Sequence, residues 1–106
     1  MKSITVRDKE NKSYVLTFTA ETVKMLEARG FIQDKLFEQP MTYIPMLFEG
    51  AFLAKEAGNI DPEKIMDIYK GLKDKTTLVR KLLELYNEPI NEVIIKEGNA
   101  EWECNF

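Results

Sequence analysis

Residues 13–31 read Ser-Tyr-Val-Leu-Thr-Phe-Thr-Ala-Glu-Thr-Val-Lys-Met-Leu-Glu-Ala-Arg-Gly-Phe, and the fold turns on this stretch. Tyr14, Leu16 and Phe18 recur at every second position, the period of a half-buried strand. From Thr19 the pattern becomes helical. Thr19 has the side chain of an N-cap, Glu21 suits the positive end of a helix, and Val23 and Leu26 share its inner face. Gly30 then stands where a left-handed C′ residue is wanted. Phe31 would be C″, packing back on Leu26 in a Schellman stop.

Upstream, Ile4 and Val6 alternate with polar neighbours, and Asp8 to Lys12 is a polar link of hairpin length, so an N-terminal β-hairpin over residues 3–7 and 13–19 is expected. Downstream, residues 31–39 form a connection, irregular or briefly helical. Pro40 disfavours helical geometry at Gln39, so a new helix is expected to start after it, with Thr42 as cap and Pro45 confined to the first turn. Gly58 and Asn59 should end that helix. The next begins at Asp61, with Pro62 at N1 and Ile65, Ile68, Tyr69 and Leu72 on one face. Asp74 can cap a last helix carrying Leu78, Leu82, Leu85 and Tyr86, which Pro89 should break or kink before Ile90, Val93 and Ile94 resume the apolar spacing. The fold class is therefore α+β: a hairpin packed on a bundle of about four helices. Residues 1–96 form one mainly helical domain and 97–106 an extended C-terminal arm. In that arm Trp102, Cys104 and Phe106 alternate with polar residues, as in a free strand or one added to the hairpin.

Composition narrows the function. The chain has 106 residues, 44% of them hydrophobic, which suffices for one modest core. Its net charge is −3, with 15 basic and 18 acidic residues interspersed, and the densest basic stretch, Arg7 to Lys12, contains Asp8 and Glu10. No basic face is available for phosphates, so nucleic acid is not expected as a partner. Nor is a membrane, since no apolar run reaches bilayer length and the start is a charged, strand-like segment. Cys104 is the single cysteine, which suits a reducing cytoplasm.

The groups that do chemistry are scarce. Histidine is absent, which removes the commonest general base and metal ligand. The glycines are isolated and form no phosphate loop, Cys104 has no histidine to activate it, and Glu84 and Glu88, four apart on a helix, read as a solvated face. No enzymatic activity, cofactor or metal is expected. The residues that ask for an explanation are apolar. Met41, Tyr43, Met46, Phe48 and Phe52 crowd one helix, either as core or as a surplus face for a partner, and Trp102 and Phe106 lie near a polar terminus with little local sequence to bury them. Tyr43, Met46, Phe52, Trp102 and Phe106 are the candidate partner-binding residues.

Several segments in order, Tyr14-Val15-Leu16-Thr17-Phe18-Thr19, Thr22 to Glu27, Gly30-Phe31, Pro40 to Leu53, Leu85-Tyr86-Asn87-Glu88-Pro89-Ile90 and Gly98 to Glu103, make the chain similar to the small tail assembly chaperones of siphophages and prophages of Gram-positive bacteria. The resemblance implies a non-catalytic factor of the host cytoplasm that keeps the tape measure protein soluble until tail tube subunits polymerise around it. Its implied partners are the tape measure protein, with the tail tube protein as a second candidate, and further copies of itself in a homo-oligomer. The alternative is a structural tail or connector component retained in the virion.

Overall fold

The computed structural model describes residues 2–56 and 60–106. Strands β1 (Ile4–Arg7) and β2 (Ser13–Leu16) pair antiparallel in the register Ile4 with Leu16 and Val6 with Tyr14. That register sends Val6, Tyr14 and Leu16 to the buried side and leaves Thr5 and Val15 outside. The second strand is shorter than its apolar alternation because Thr17 leaves the ladder: its N–H donates to the Ala51 carbonyl at 3.0 Å, and its hydroxyl donates to the Lys2 carbonyl at 2.8 Å.

Helix α1 (Ala20–Ala28) starts and stops as its sequence dictates. Thr19 and Thr22 form a reciprocal cap, the Thr19 hydroxyl accepting from Thr22 N–H at 3.2 Å and the Thr22 hydroxyl accepting from Thr19 N–H at 2.8 Å. At the other end Gly30 has φ 90°, Gly30 N–H donates to Glu27 and Phe31 N–H to Leu26, which is the Schellman pair. A 3-10 turn at Gln33–Lys35 leads to α2 (Pro40–Glu56), followed by α3 (Pro62–Gly71) and α4 (Lys75–Ile94).

Helix α2 is the centre of the molecule, packing against β2, α1, α3 and α4. With neighbours on so many sides it is apolar around most of its circumference, and Leu47, Phe48, Ala51 and Phe52 are fully buried. Gly50 lets α1 approach: a Cβ there would lie 2.7 Å from Leu26 Cδ1 and 3.1 Å from its Cγ. Edge-to-face rings run through the core, Phe48 with Phe52 and Tyr69, Phe31 with Tyr43 and Tyr86, and Phe18 with Tyr86.

Several helix boundaries differ from expectation. α2 begins at Pro40, not after it, with the Gln39 carbonyl accepting from Thr42 and Tyr43 N–H, so Thr42 lies inside the helix and is no cap. Pro45 is consequently beyond the first turn. Its missing N–H leaves the carbonyl of Met41 without a helical donor, which is tolerable because Met41 is exposed. The expected end at Gly58 and Asn59 lies outside the described residues. Asp61 does cap α3, its carboxylate accepting from Glu63 N–H at 2.9 Å with Pro62 next in line. Asp74 does not cap α4: it sits in the left-handed region at φ 48°, ψ 54°, and makes no capping hydrogen bond. Pro89 neither breaks nor ends α4, which runs on to Ile94. Ile90 stays half-buried against the core, and this packing offsets the single hydrogen bond the proline removes.

Residues 97–106 have no regular secondary structure and are exposed throughout. Among the described residues the sheet has two strands, so the arm adds none to the hairpin.

Candidate partner-binding surface

The five candidate contact residues separate cleanly. Phe52 is fully buried, its ring 5.7 Å from Tyr14 and 5.2 Å from Phe48. Tyr43 is buried against Phe31. Both belong to the core, which corrects their reading as contact residues: α2 has no outer face at those positions. Met46 is partly buried on the core's edge. Trp102 and Phe106 are fully open to solvent, at 87% and 111% of their reference exposure.

Sequence periodicity missed the larger part of the surface. Val93, Ile94 and Ile95 continue the apolar spacing of α4, yet they are exposed, because the helix outruns the body that buries its first four turns. The available signal lay downstream, where residues after Lys96 supply no compact element to cover them. A second, smaller exposed set, Ile32, Phe37 and Met41, flanks the 3-10 turn.

Two grooves meet along the C-terminal half of α4. One, of about 200 Å³, lies between α1 and α4 and is lined by Ala20, Val23, Pro89, Ile90, Val93 and Ile94, with Glu27 at its rim. The other, of about 560 Å³, lies between α4 and the chain entering α1, where Phe18, Leu85, Pro89 and Val93 meet Lys2, Glu88 and Glu92. Pro89 and Val93 line both. Lys2 Nζ approaches Glu88 Oε1 to 2.6 Å across this second groove, and that hydrogen bond raises the lysine pKa. Both side chains are well exposed, so the pair orders the groove wall more than it stabilises the fold. In the core beneath α1, burial pushes the Tyr86 hydroxyl above the ordinary tyrosine range, and the Glu27 carboxylate pushes it further. Such an arrangement offers apolar area and carboxylates at the margin.

Among the described residues no three His, Cys, Asp or Glu side chains come together in a way that could hold a metal ion, and no helix is long and apolar enough to cross a membrane. Cys104 is exposed in the arm. The profile of a family described as a domain of unknown function (DUF5055) matches residues 1–106. This chain belongs to the DUF5055 family. No curated protein and no solved structure matches it. The family match spans the hairpin, the four helices of the described residues and the arm, so the DUF5055 unit includes the α4 grooves together with Trp102 and Phe106.

Proposed function

We propose that this chain is a non-catalytic protein-binding factor, a tail assembly chaperone that works in the host cytoplasm and holds the tape measure protein soluble until the tail tube forms around it. The observation that carries the reading is the exposed apolar end of the molecule: Val93 and Ile94 on α4 with Ile95 just after it, continuous with two grooves and followed by Trp102 and Phe106. A domain of this size rarely leaves so many large apolar side chains open at one end unless something covers them. The ordered segment resemblance supplies the class of client.

The physical task fits that surface. A long amphipathic rod aggregates through its apolar stripe, and many modest contacts along it, each made by one copy of a small protein, can cover the stripe and still be released. Aromatic and branched side chains at the end of a helix and on an extended arm can make such contacts without a rigid, preformed pocket.

The test is co-expression with the tape measure protein of a siphophage or prophage that carries this chain. The proposed function requires more of that client in the soluble fraction when this chain is present, and absence of this chain from purified particles. Recovery of the chain in the particles would instead assign it to the tail or connector structure.

A further inference from the structure

The charge of the chain is not evenly spread. Residues 84–106 hold six Glu and one Lys, a charge of −5, while the preceding 83 residues hold 14 basic and 12 acidic groups, +2, together the −3 of the whole. The acidic segment is the same one that carries the exposed Val93, Ile94, Ile95, Trp102 and Phe106. Glu27, from α1, adds a carboxylate on the facing wall of the smaller groove. Among the described residues the ion pairs are Lys2 with Glu88 and Lys81 with Glu84, which leaves Glu27 and Glu92 unpaired at the margins of the two grooves.

Glu92 is also placed against the interest of its own helix. The last turn of α4 holds no basic residue, and a carboxylate there opposes the negative end of the helix dipole. Stability gains nothing from it. A ligand with positive charge beside an apolar surface would.

We infer that the α4 grooves and the arm bind an amphipathic helical segment whose apolar stripe is flanked by Lys or Arg. The stripe seats on Val23, Pro89, Ile90, Val93 and Ile94, and the flanking cations meet Glu27 and Glu92 on opposite sides. The inference rests on the reading of the chain as a protein-binding factor and states which segments of a client it selects. An arm from a second copy is a poorer occupant, because Glu97, Glu101 and Glu103 would enter a rim that is already acidic.

The probe is a pair of synthetic helical peptides of about five turns, each with Leu at i, i+3, i+4 and i+7, one flanked by Lys and the other by Glu. Trp102 is the single tryptophan and reports binding through its fluorescence. The Lys peptide should bind at least about tenfold more tightly at low ionic strength, and the preference should fall as salt rises. Glu27→Lys with Glu92→Lys should abolish the preference while leaving the helical signal and melting temperature unchanged or raised. Glu63→Lys with Asp67→Lys, an equal charge change on α3, which lines neither groove, should leave the preference in place. Equal binding of both peptides, equal loss in the α3 variant, or no binding of either peptide overturns the inference. So does a dimer that sedimentation detects and that the Lys peptide does not displace, which would give the grooves to a second copy. None of these results decides the chaperone reading, which the co-expression assay measures separately.

Discussion

The carboxamides of Gln33 and Asn87 face each other and exchange two hydrogen bonds, each of 3.0 Å, across 54 positions of sequence. Asn87 also donates to the Leu83 carbonyl at 2.9 Å, so its amide is held from within α4 as it receives the 3-10 turn. The pair fixes the connection between α1 and α2 onto the last helix. Replacing either residue by Ala leaves the other amide half-buried and partly unsatisfied. Each single change should lower stability by about 1 kcal/mol, and the double mutant should lose less than the sum, with a coupling of about 0.5–1.5 kcal/mol in denaturant unfolding.

The two aspartates that precede α3 and α4 should behave oppositely. Asp61→Ala removes an acceptor from Glu63 N–H and should cost about 1 kcal/mol. Asp74→Gly removes no capping bond and relieves a left-handed backbone, so its unfolding midpoint should stay within about 0.5 kcal/mol of the parent or rise.

Gly50→Ala sets two effects against each other. The helix gains about 1 kcal/mol of intrinsic propensity. The new methyl group, however, meets both Cδ1 and Cγ of a fully buried Leu26, so no rotation of the leucine tip clears it. Overpacking, at about 1–3 kcal/mol, should win, and the variant should unfold at lower denaturant.

The turn of the hairpin should respond to acid. Asp8 accepts from Lys12 N–H and Glu10 N–H at 2.9 Å, and from the Tyr14 hydroxyl at 3.3 Å. The Lys12 bond leads in holding its carboxyl below the ordinary aspartate range. A depressed folded value means that the turn has its full support above the ordinary value of about 3.9 and loses it as pH falls through the lower folded value. Amide resonances of Glu10 and Lys12 should therefore shift together on acidification, and Asp8→Asn should abolish that titration.

Local signals carried most of the fold. Thr19, Gly30-Phe31 and Asp61-Pro62 each set a boundary through groups within one turn, so their meaning survives tertiary packing. Asp74, Pro45 and Pro89 did not. At the two prolines packing decides the outcome: Ile90 on the core carries α4 past Pro89, and α2 is enclosed by its neighbours on either side of Pro45. The exposure of Trp102 and Phe106 was legible, because large apolar side chains among polar neighbours have little local sequence to bury them. Exposure was illegible in Val93 and Ile94, whose periodicity is that of a core face, and in Tyr43 and Phe52, because an all-round apolar helix does not say which side is enclosed.

On the proposed function, the end of α4 and the arm serve a partner and not the core. Removing residues 97–106 tests it most directly, because every residue deleted is exposed and outside regular structure. The truncated chain should keep its helical circular dichroism and its melting temperature, yet hold markedly less co-expressed tape measure protein in the soluble fraction. A truncated chain that unfolds would make the arm part of the core, and one that keeps the client as soluble as the full chain does would leave the arm with no role in binding.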